Sequence, residues 1–167
     1  MSTLQNIQFS DAMTLRINEY ISHYPEGRQK SALLPILHLV QDEYSWLSPE
    51  LMDKVAEILD IKSIEVYEVA TFYTMYNLKP IGKYRVDFCR TSCCALRGAE
   101  NIIDYTLDKL GIQMGETTAD GLFTVNGVEC LGACGYAPMM QVGDDYYEHL
   151  TPEKIDEFIE SRQNAAK

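Results

Sequence analysis

The chain has 167 residues, 46% of them hydrophobic, and a formal net charge of −11 at pH 7. This acidity disfavours nucleic acid and anionic membrane surfaces as partners, because binding to phosphates depends on Lys and Arg side chains. No apolar run approaches the ~20 residues of a membrane helix, and no signal-peptide pattern opens the chain. Five cysteines, an odd number, favour metal ligation in a reducing compartment over a disulfide framework.

Hydrophobic periodicity predicts a bundle of helices between residues 10 and 75. Residues 29–44 are apolar almost all round, which predicts a central helix, with a kink at Pro35. Ser48, which precedes a proline, predicts the N-cap of a third helix, and Ser63 predicts the cap of a fourth.

The end of the fourth predicted helix carries the aromatic and sulfur-containing residues Phe72, Tyr73, Met75 and Tyr76. Such a cluster is more typical of a core than of a binding surface, although contact with a partner is the alternative interpretation. His38 lies in the most apolar helix and is interpreted as a core histidine rather than a metal ligand.

The pattern breaks at residues 79–83, where a Lys-Pro-Ile-Gly-Lys segment predicts a domain boundary. We therefore predict a helical domain over residues 1–79 and a second domain over residues 80–167. The second domain is predicted to contain, in order, a strand ending at Cys89, a helix over 98–110, a strand or bent hairpin over 122–130, strands over 139–142 and 146–148, and a helix starting at Thr151. This order predicts an α+β fold, a helical bundle followed by a mixed sheet with helices packed on it.

Four cysteines form two pairs, Cys89 and Cys94 with the spacing Cys-x4-Cys, and Cys130 and Cys134 with the spacing Cys-x3-Cys. Four soft thiolates from two loops suit either a 2Fe-2S cluster or a tetrahedral zinc ion. Structural zinc sites usually use a tighter Cys-x2-Cys element, so the wider spacing favours the two-iron cluster. Each pair follows a predicted strand, and two neighbouring strands could therefore present both loops at one edge of the sheet.

The segments around these cysteines, residues 88–100 and 128–140, resemble those of a known family, and the Cys-Leu-Gly-Ala-Cys element is the most specific piece. Residues 33–41 and 69–73 extend the likeness into the helical half. The sequence resembles the small thioredoxin-like 2Fe-2S subunit of NADH:quinone oxidoreductase, respiratory complex I. Subunits of NAD-linked hydrogenases and formate dehydrogenases share this family.

The resemblance implies a thioredoxin-like fold and one 2Fe-2S cluster whose ligands are Cys89, Cys94, Cys130 and Cys134. Cys93 is adjacent to Cys94, so spacing alone also permits a pair formed by Cys89 and Cys93. The resemblance favours Cys94, because the Leu-x-Gly that follows it is in the family's register. Cys93 then has no role in binding the cluster. The alternative is that Cys93 is itself a ligand, or replaces a ligand that is lost.

Arg90 and Arg97 bracket the first pair with no acidic residue between them. Positive charge beside an anionic cluster helps to tune its potential. An equally simple interpretation is that both guanidinium groups are solvated.

The sequence contains no Gly-x-Gly-x-x-Gly or P-loop pattern and so no recognisable site for NADH or phosphate. A one-electron centre without its own nicotinamide or flavin must exchange electrons with a partner that has them. The resemblance implies that this partner is the flavoprotein subunit that binds FMN and NADH, accompanied by further complex I peripheral-arm subunits. We expect a non-catalytic, cytoplasmic electron-transfer subunit of a bacterial complex, peripheral to the inner membrane, with no residue acting as acid, base or nucleophile.

Three alternatives remain at this point. The chain could be the equivalent subunit of an NAD-linked hydrogenase or formate dehydrogenase, which only the partner would distinguish. It could be a zinc-stabilised interaction module. It could also be a thioredoxin-like thiol oxidoreductase, although the sequence lacks the Cys-x-x-Cys that such an enzyme uses at a helix start.

Overall fold

The structure is a computed structural model that describes residues 7–166. The chain divides into two compact units, Met1–Pro80 and Ile81–Lys167. The helices and the four-stranded mixed sheet confirm the predicted α+β class. That residues 1–79 and 80–167 are separate domains stays a prediction.

The first unit is built from helices around a central apolar one. Its elements are α1 (Asp11–Ser22), a 3₁₀ turn (Gln29–Ala32), α2 (Leu33–Tyr44), α3 (Pro49–Leu59) and α4 (Ser63–Phe72). The predicted cap at Ser48 is confirmed, because its hydroxyl accepts a hydrogen bond from the Leu51 N–H at 3.3 Å. The α2 side chains at the centre of this core are Leu33, Ile36, Leu37, Leu39 and Val40.

Two predicted details of these helices are wrong by a few residues. The break near Pro35 comes earlier, since the 3₁₀ turn passes into α2 after Ala32 and Pro35 lies in the first turn of α2. A proline is tolerated in a first turn because its missing N–H has little helical bonding to lose. The N-cap of α4 is Lys62 rather than Ser63, and its N–H donates to the Glu65 carboxylate at 3.0 Å.

The aromatic residues near the end of α4 are only partly in the core. Tyr76 is 5% exposed and donates its hydroxyl to the Leu34 carbonyl at 3.0 Å, as a core interpretation requires. Phe72 is 77% exposed and Tyr73 is also exposed, so that interpretation is wrong for them. It is wrong for His38 too, which is exposed and packs against the Tyr76 ring in a tilted arrangement, with the ring centroids 5.1 Å apart.

The chain after α4 is held against α2 by amide hydrogen bonds. The Gln41 side chain donates to the Met75 carbonyl at 2.9 Å and accepts from the Asn77 N–H at 2.6 Å. The Asn77 side chain donates to the Ser45 carbonyl at 3.0 Å. Because these groups are half-buried or buried, their pairing fixes the path of the chain at the end of the first unit.

The second unit contains the sheet. Its elements are β1 (Tyr84–Cys89), α5 (Ser92–Leu96), α6 (Ala99–Leu110), β2 (Phe123–Val128), a 3₁₀ turn (Cys134–Tyr136), β3 (Met140–Val142), β4 (Asp145–Tyr147) and α7 (Pro152–Asn164). Gly98 and Gly111 flank α6 with positive φ, as a glycine permits, and Thr151 caps α7. The short helix α5 is absent from the sequence prediction.

The strand order is β2-β1-β3-β4. β1 is parallel to β2, with Cys89 opposite Val128, and antiparallel to β3. The crossover from β1 to β2 runs through α5 and α6, as a parallel connection requires. The core between the sheet and α6 and α7 consists of Val86, Phe88, Ile102, Ile103, Phe123, Val125, Met140, Leu150, Ile155, Phe158 and Ile159.

Gly82 sets how closely the segments before β1 and β2 approach each other. A β-carbon at Gly82 would lie 2.9 Å from the Leu122 carbonyl group and from the Phe123 nitrogen, and the Gly82 N–H donates to Thr124 Oγ1 at 2.6 Å. Gly82→Ala must therefore push the two segments apart, and we expect its free energy of unfolding to fall by about 1–3 kcal/mol. Urea unfolding of the apoprotein measures this loss.

Gly135→Ala is the matched control, because a β-carbon at Gly135 meets nothing within 4 Å. Equal urea midpoints for the two variants would contradict the close approach described for Gly82.

Candidate metal centre

The four predicted ligands come together where β1 and β2 end. Cys89 is the last residue of β1, and Cys94 lies on α5. Cys130 follows β2 by two residues, and Cys134 begins the next 3₁₀ turn. Parallel strands end at the same edge of a sheet, so this topology delivers both cysteine loops to one place.

The cysteines form two pairs with different exposure. Cys89 and Cys94 are 2% and 1% exposed, and their thiols interact with each other. Cys130 and Cys134 are exposed, with their sulfur atoms 3.9 Å apart. Two thiolates per iron is the arrangement that a two-iron cluster with four cysteine ligands requires.

Apolar packing joins the two loops. Cys89 and Cys94 form a small buried cluster with Ala99, Ala137 and Met139, and Leu131 and Ala133 of the second loop pack against it. Two residues between Cys130 and Cys134 thus pack against the cluster that contains the first pair. This packing holds the exposed pair beside the buried one.

Hydrogen-bond donors surround the sulfur of Cys89. Burial raises the pKa of this thiol, but the hydroxyl and N–H of Thr91 and the N–H of Leu131 outweigh burial and leave the pKa below its ordinary value. The distance from Thr91 Oγ1 to Cys89 Sγ is 3.3 Å. These groups favour a thiolate at this position, which is the form that binds metal.

The surroundings of Cys94 and Cys134 disfavour ionisation of their thiols. Burial, then the neighbouring Cys89 thiol, raises the pKa of Cys94 to about 11. Hydrogen bonds with Cys130 and Cys93 and the charges of those two thiols raise the pKa of Cys134 to about 11. Positive iron would relieve this crowding of negative charge, so the donor set fits a thiolate-bound iron centre.

Within residues 7–166, no three Cys, His, Asp or Glu side chains surround one point closely enough to hold a single metal ion. What the structure does show is the pairing of thiols, and a paired set of soft ligands fits a 2Fe-2S cluster.

Gly132 supports the second pair. It has a φ of +80°, which glycine adopts readily, and its N–H donates to Cys130 Sγ at 3.4 Å. The backbone of this glycine therefore contacts a sulfur of the second pair directly. A β-carbon would not add a contact here, so the backbone conformation is what calls for glycine.

Cys93 differs from Cys94 in its surroundings although the two are adjacent in α5. Cys94 is buried beside Cys89, whereas Cys93 is exposed and its thiol lies near that of Cys134. The buried neighbour therefore completes the first pair. Cys93 lies beside the second pair, within reach of the same centre.

Arg90 forms an ion pair beside the site. Its guanidinium Nε is 3.3 Å from the Glu100 carboxylate, and both side chains are half-exposed. An exposed pair of this kind contributes little stability and largely offsets the positive charge of Arg90. The sequence interpretation overlooked Glu100 because it considered only acids between the two arginines.

The sequence analysis also missed most of the groups that donate hydrogen bonds to the cysteine sulfur atoms. Thr91 lies only two residues after Cys89, so the sequence could have predicted its hydroxyl as a hydrogen-bond donor to the Cys89 sulfur. The N–H groups of Leu131 and Gly132 carry no side-chain signal, although the flanking glycine predicts a close backbone approach.

Comparison with known proteins identifies the family. The family model of the thioredoxin-like [2Fe-2S] ferredoxins matches residues 17–163. The chain belongs to the thioredoxin-like [2Fe-2S] ferredoxin family, and its cofactor is a 2Fe-2S cluster. The predicted fold and the preference for a cluster over zinc are therefore confirmed.

Curated relatives that match along nearly the whole chain include E subunits of NADH-quinone oxidoreductase. The one from Rickettsia conorii is 43% identical over 162 residues, which cover 96% of this chain and 97% of that protein. Its counterpart in Rickettsia prowazekii is 44% identical over 98% of this chain and 94% of its own length. A further relative, from Rhizobium meliloti, is 42% identical over 93% of this chain and 92% of its own length.

A solved structure shares the fold. A chain of an NAD+-reducing [NiFe]-hydrogenase in the air-oxidized state superposes with a TM-score of 0.72 at 23% identity. The match covers 81% of the present chain and 23% of that chain.

Among the helices of the described part, none is long and apolar enough to span a membrane.

The different surroundings of Cys93 and Cys94 predict different losses on substitution. Cys94→Ser removes a buried thiol of the first pair, so we expect it to lose most bound iron and acid-labile sulfide. Cys93→Ser removes an exposed thiol outside both pairs, so we expect it to keep both at the wild-type level. Iron and sulfide analysis of anaerobically purified protein, with the visible absorbance spectrum, measures the difference.

The double variant C93S/C94S tests whether Cys93 replaces Cys94 as a ligand. A cluster kept in Cys94→Ser but lost in the double variant would show that Cys93 takes over as ligand. A cluster lost in Cys93→Ser and kept in Cys94→Ser would contradict the pairing described here.

Proposed function

We propose that this chain is the electron-transfer subunit of the NADH-oxidising module of NADH:quinone oxidoreductase. The observation that carries the proposal is the similarity to the E subunits of such complexes over nearly the full length of both chains. By the same likeness, the chain is a non-catalytic member of a peripheral arm on the cytoplasmic side of a bacterial inner membrane.

Cys89, Cys94, Cys130 and Cys134 would hold the cluster in this proposal. The bound cluster supplies a one-electron redox centre. The protein supplies the thiolates, the N–H and hydroxyl donors around them, and the burial of the first pair. The second pair is exposed, which leaves that side of the site open to a partner protein.

The partner in this proposal is a flavoprotein subunit that binds FMN and NADH. In this proposal the chain itself only accepts electrons and passes them on. The equivalent subunit of an NAD-linked hydrogenase is the second candidate, since a hydrogenase chain has the same fold. Only the physiological partner distinguishes the two.

The proposal predicts that the chain depends on its partner for reduction by NADH. The isolated, cluster-loaded chain should show no NADH oxidation and no EPR signal after addition of NADH, because it has no flavin of its own. The same chain mixed with the NADH-binding flavoprotein subunit from its own organism should give the rhombic signal of a reduced 2Fe-2S cluster.

Cluster-loaded chain mixed with a flavoprotein of an unrelated pathway is the control and should stay oxidised. NADH oxidation by the isolated chain would contradict the proposal. Reduction by a hydrogenase flavoprotein but not by the complex I subunit would select the second candidate.

A further inference from the structure

Tyr146 reaches from the sheet to the second cysteine loop. It lies on β4, and its hydroxyl donates to the Leu131 carbonyl at 2.7 Å, across 15 positions of sequence. Its side chain is 47% exposed, so it adds little to the core. The hydrogen bond is therefore its main connection with the loop that carries Cys130 and Cys134.

The Leu131 carbonyl belongs to the same peptide group as the N–H of Gly132. That group is planar, with the C=O and the N–H on opposite sides, so fixing one end fixes the direction of the other. The Gly132 N–H is the group that donates to Cys130 Sγ at 3.4 Å. Tyr146 thus holds the far end of an amide whose near end contacts a ligand sulfur.

A hydrogen bond to the carbonyl also changes the strength of the N–H as a donor. Hydrogen bonds in a chain polarise one another, so a carbonyl that accepts one makes its own amide N–H a better donor. An N–H donor at a ligand sulfur stabilises added negative charge and thereby raises the reduction potential of an iron-sulfur centre.

We propose that Tyr146 is a positioning residue that raises the reduction potential of the centre by orienting and polarising the Leu131–Gly132 peptide toward Cys130. The inference rests on the proposed function, in which Cys130 is a ligand.

Other contacts hold the same loop independently of this hydroxyl. The His149 N–H donates to the Tyr136 carbonyl at 2.8 Å, and the Leu150 N–H donates to the Pro138 carbonyl at 2.9 Å. The rings of Tyr136 and His149 also pack edge to face at 5.7 Å. Loss of the Tyr146 hydroxyl should therefore change the direction of one amide without releasing the loop.

The test is the midpoint potential of the loaded full-length chain, measured by EPR-monitored redox titration. Tyr146→Phe keeps the ring and removes the hydroxyl, so we expect a midpoint potential more negative than that of the wild type. Pulsed EPR should also show a weaker coupling to an exchangeable proton, since the Gly132 N–H is no longer held toward Cys130. A structural role alone would not move either quantity.

Tyr147→Phe is the matched control on the same strand. Its hydroxyl accepts from Arg162 Nη2 at 2.6 Å and its ring packs on Phe158, so its side chain serves the face that packs against α7. We expect it to keep the wild-type potential. Equal potentials for the wild type, Tyr146→Phe and Tyr147→Phe would overturn the inference.

A second variant tests the inference if Tyr146→Phe does not bind the cluster. Placing 3-fluorotyrosine at position 146, at a pH where it is protonated, keeps the hydroxyl and makes it a stronger donor, so the potential should become more positive. An unchanged potential would overturn the inference. Absence of any 2Fe-2S signal from the wild type would instead overturn the proposed function.

Discussion

The parallel pairing of β1 with β2 is the constraint on which the site depends. It places Cys89 opposite Val128, so the two cysteine loops leave the sheet at the same edge. The chain between them forms α5 and α6, and α5 carries Cys94 back to Cys89. Gly82 preserves this pairing at the other end, where a side chain would collide with the backbone before β2. The metal centre is thus a consequence of sheet topology, and the loops add only the final placement of each sulfur.

The two cysteine pairs have different physical surroundings. The first pair is buried in a small cluster against which Leu131 and Ala133 pack, and Cys89 receives hydrogen bonds from Thr91 and Leu131. The second pair is exposed and receives the Gly132 N–H. Burial protects a centre from water, while exposure lets a partner approach. Both requirements apply to a protein that must hold an iron-sulfur cluster and exchange electrons through a docking partner.

Local signals predicted much of this fold, and long-range contacts account for what they missed. Ser48, Gly111 and Thr151 mark helix ends through bonds that span only a few residues, so their sequence signals were reliable. The two cysteine pairs followed from spacing together with family resemblance, and the role of these four residues as ligands stays a prediction. The exposure of Phe72 on α4 could not be predicted from the sequence, because it depends on which face of the helix the tertiary structure leaves uncovered. The bond from Tyr146 to Leu131 is equally invisible in sequence, since it joins a side chain to a backbone carbonyl 15 residues away.

Four thiolates of this chain, those of Cys89, Cys94, Cys130 and Cys134, are proposed to hold the 2Fe-2S cluster. The most direct measurement is the metal and acid-labile sulfide content of the wild-type chain, purified without exposure to oxygen. We expect two irons and two sulfides per chain, with a rhombic EPR signal after chemical reduction. One zinc per chain with no sulfide would contradict it and would indicate a zinc-stabilised interaction module instead.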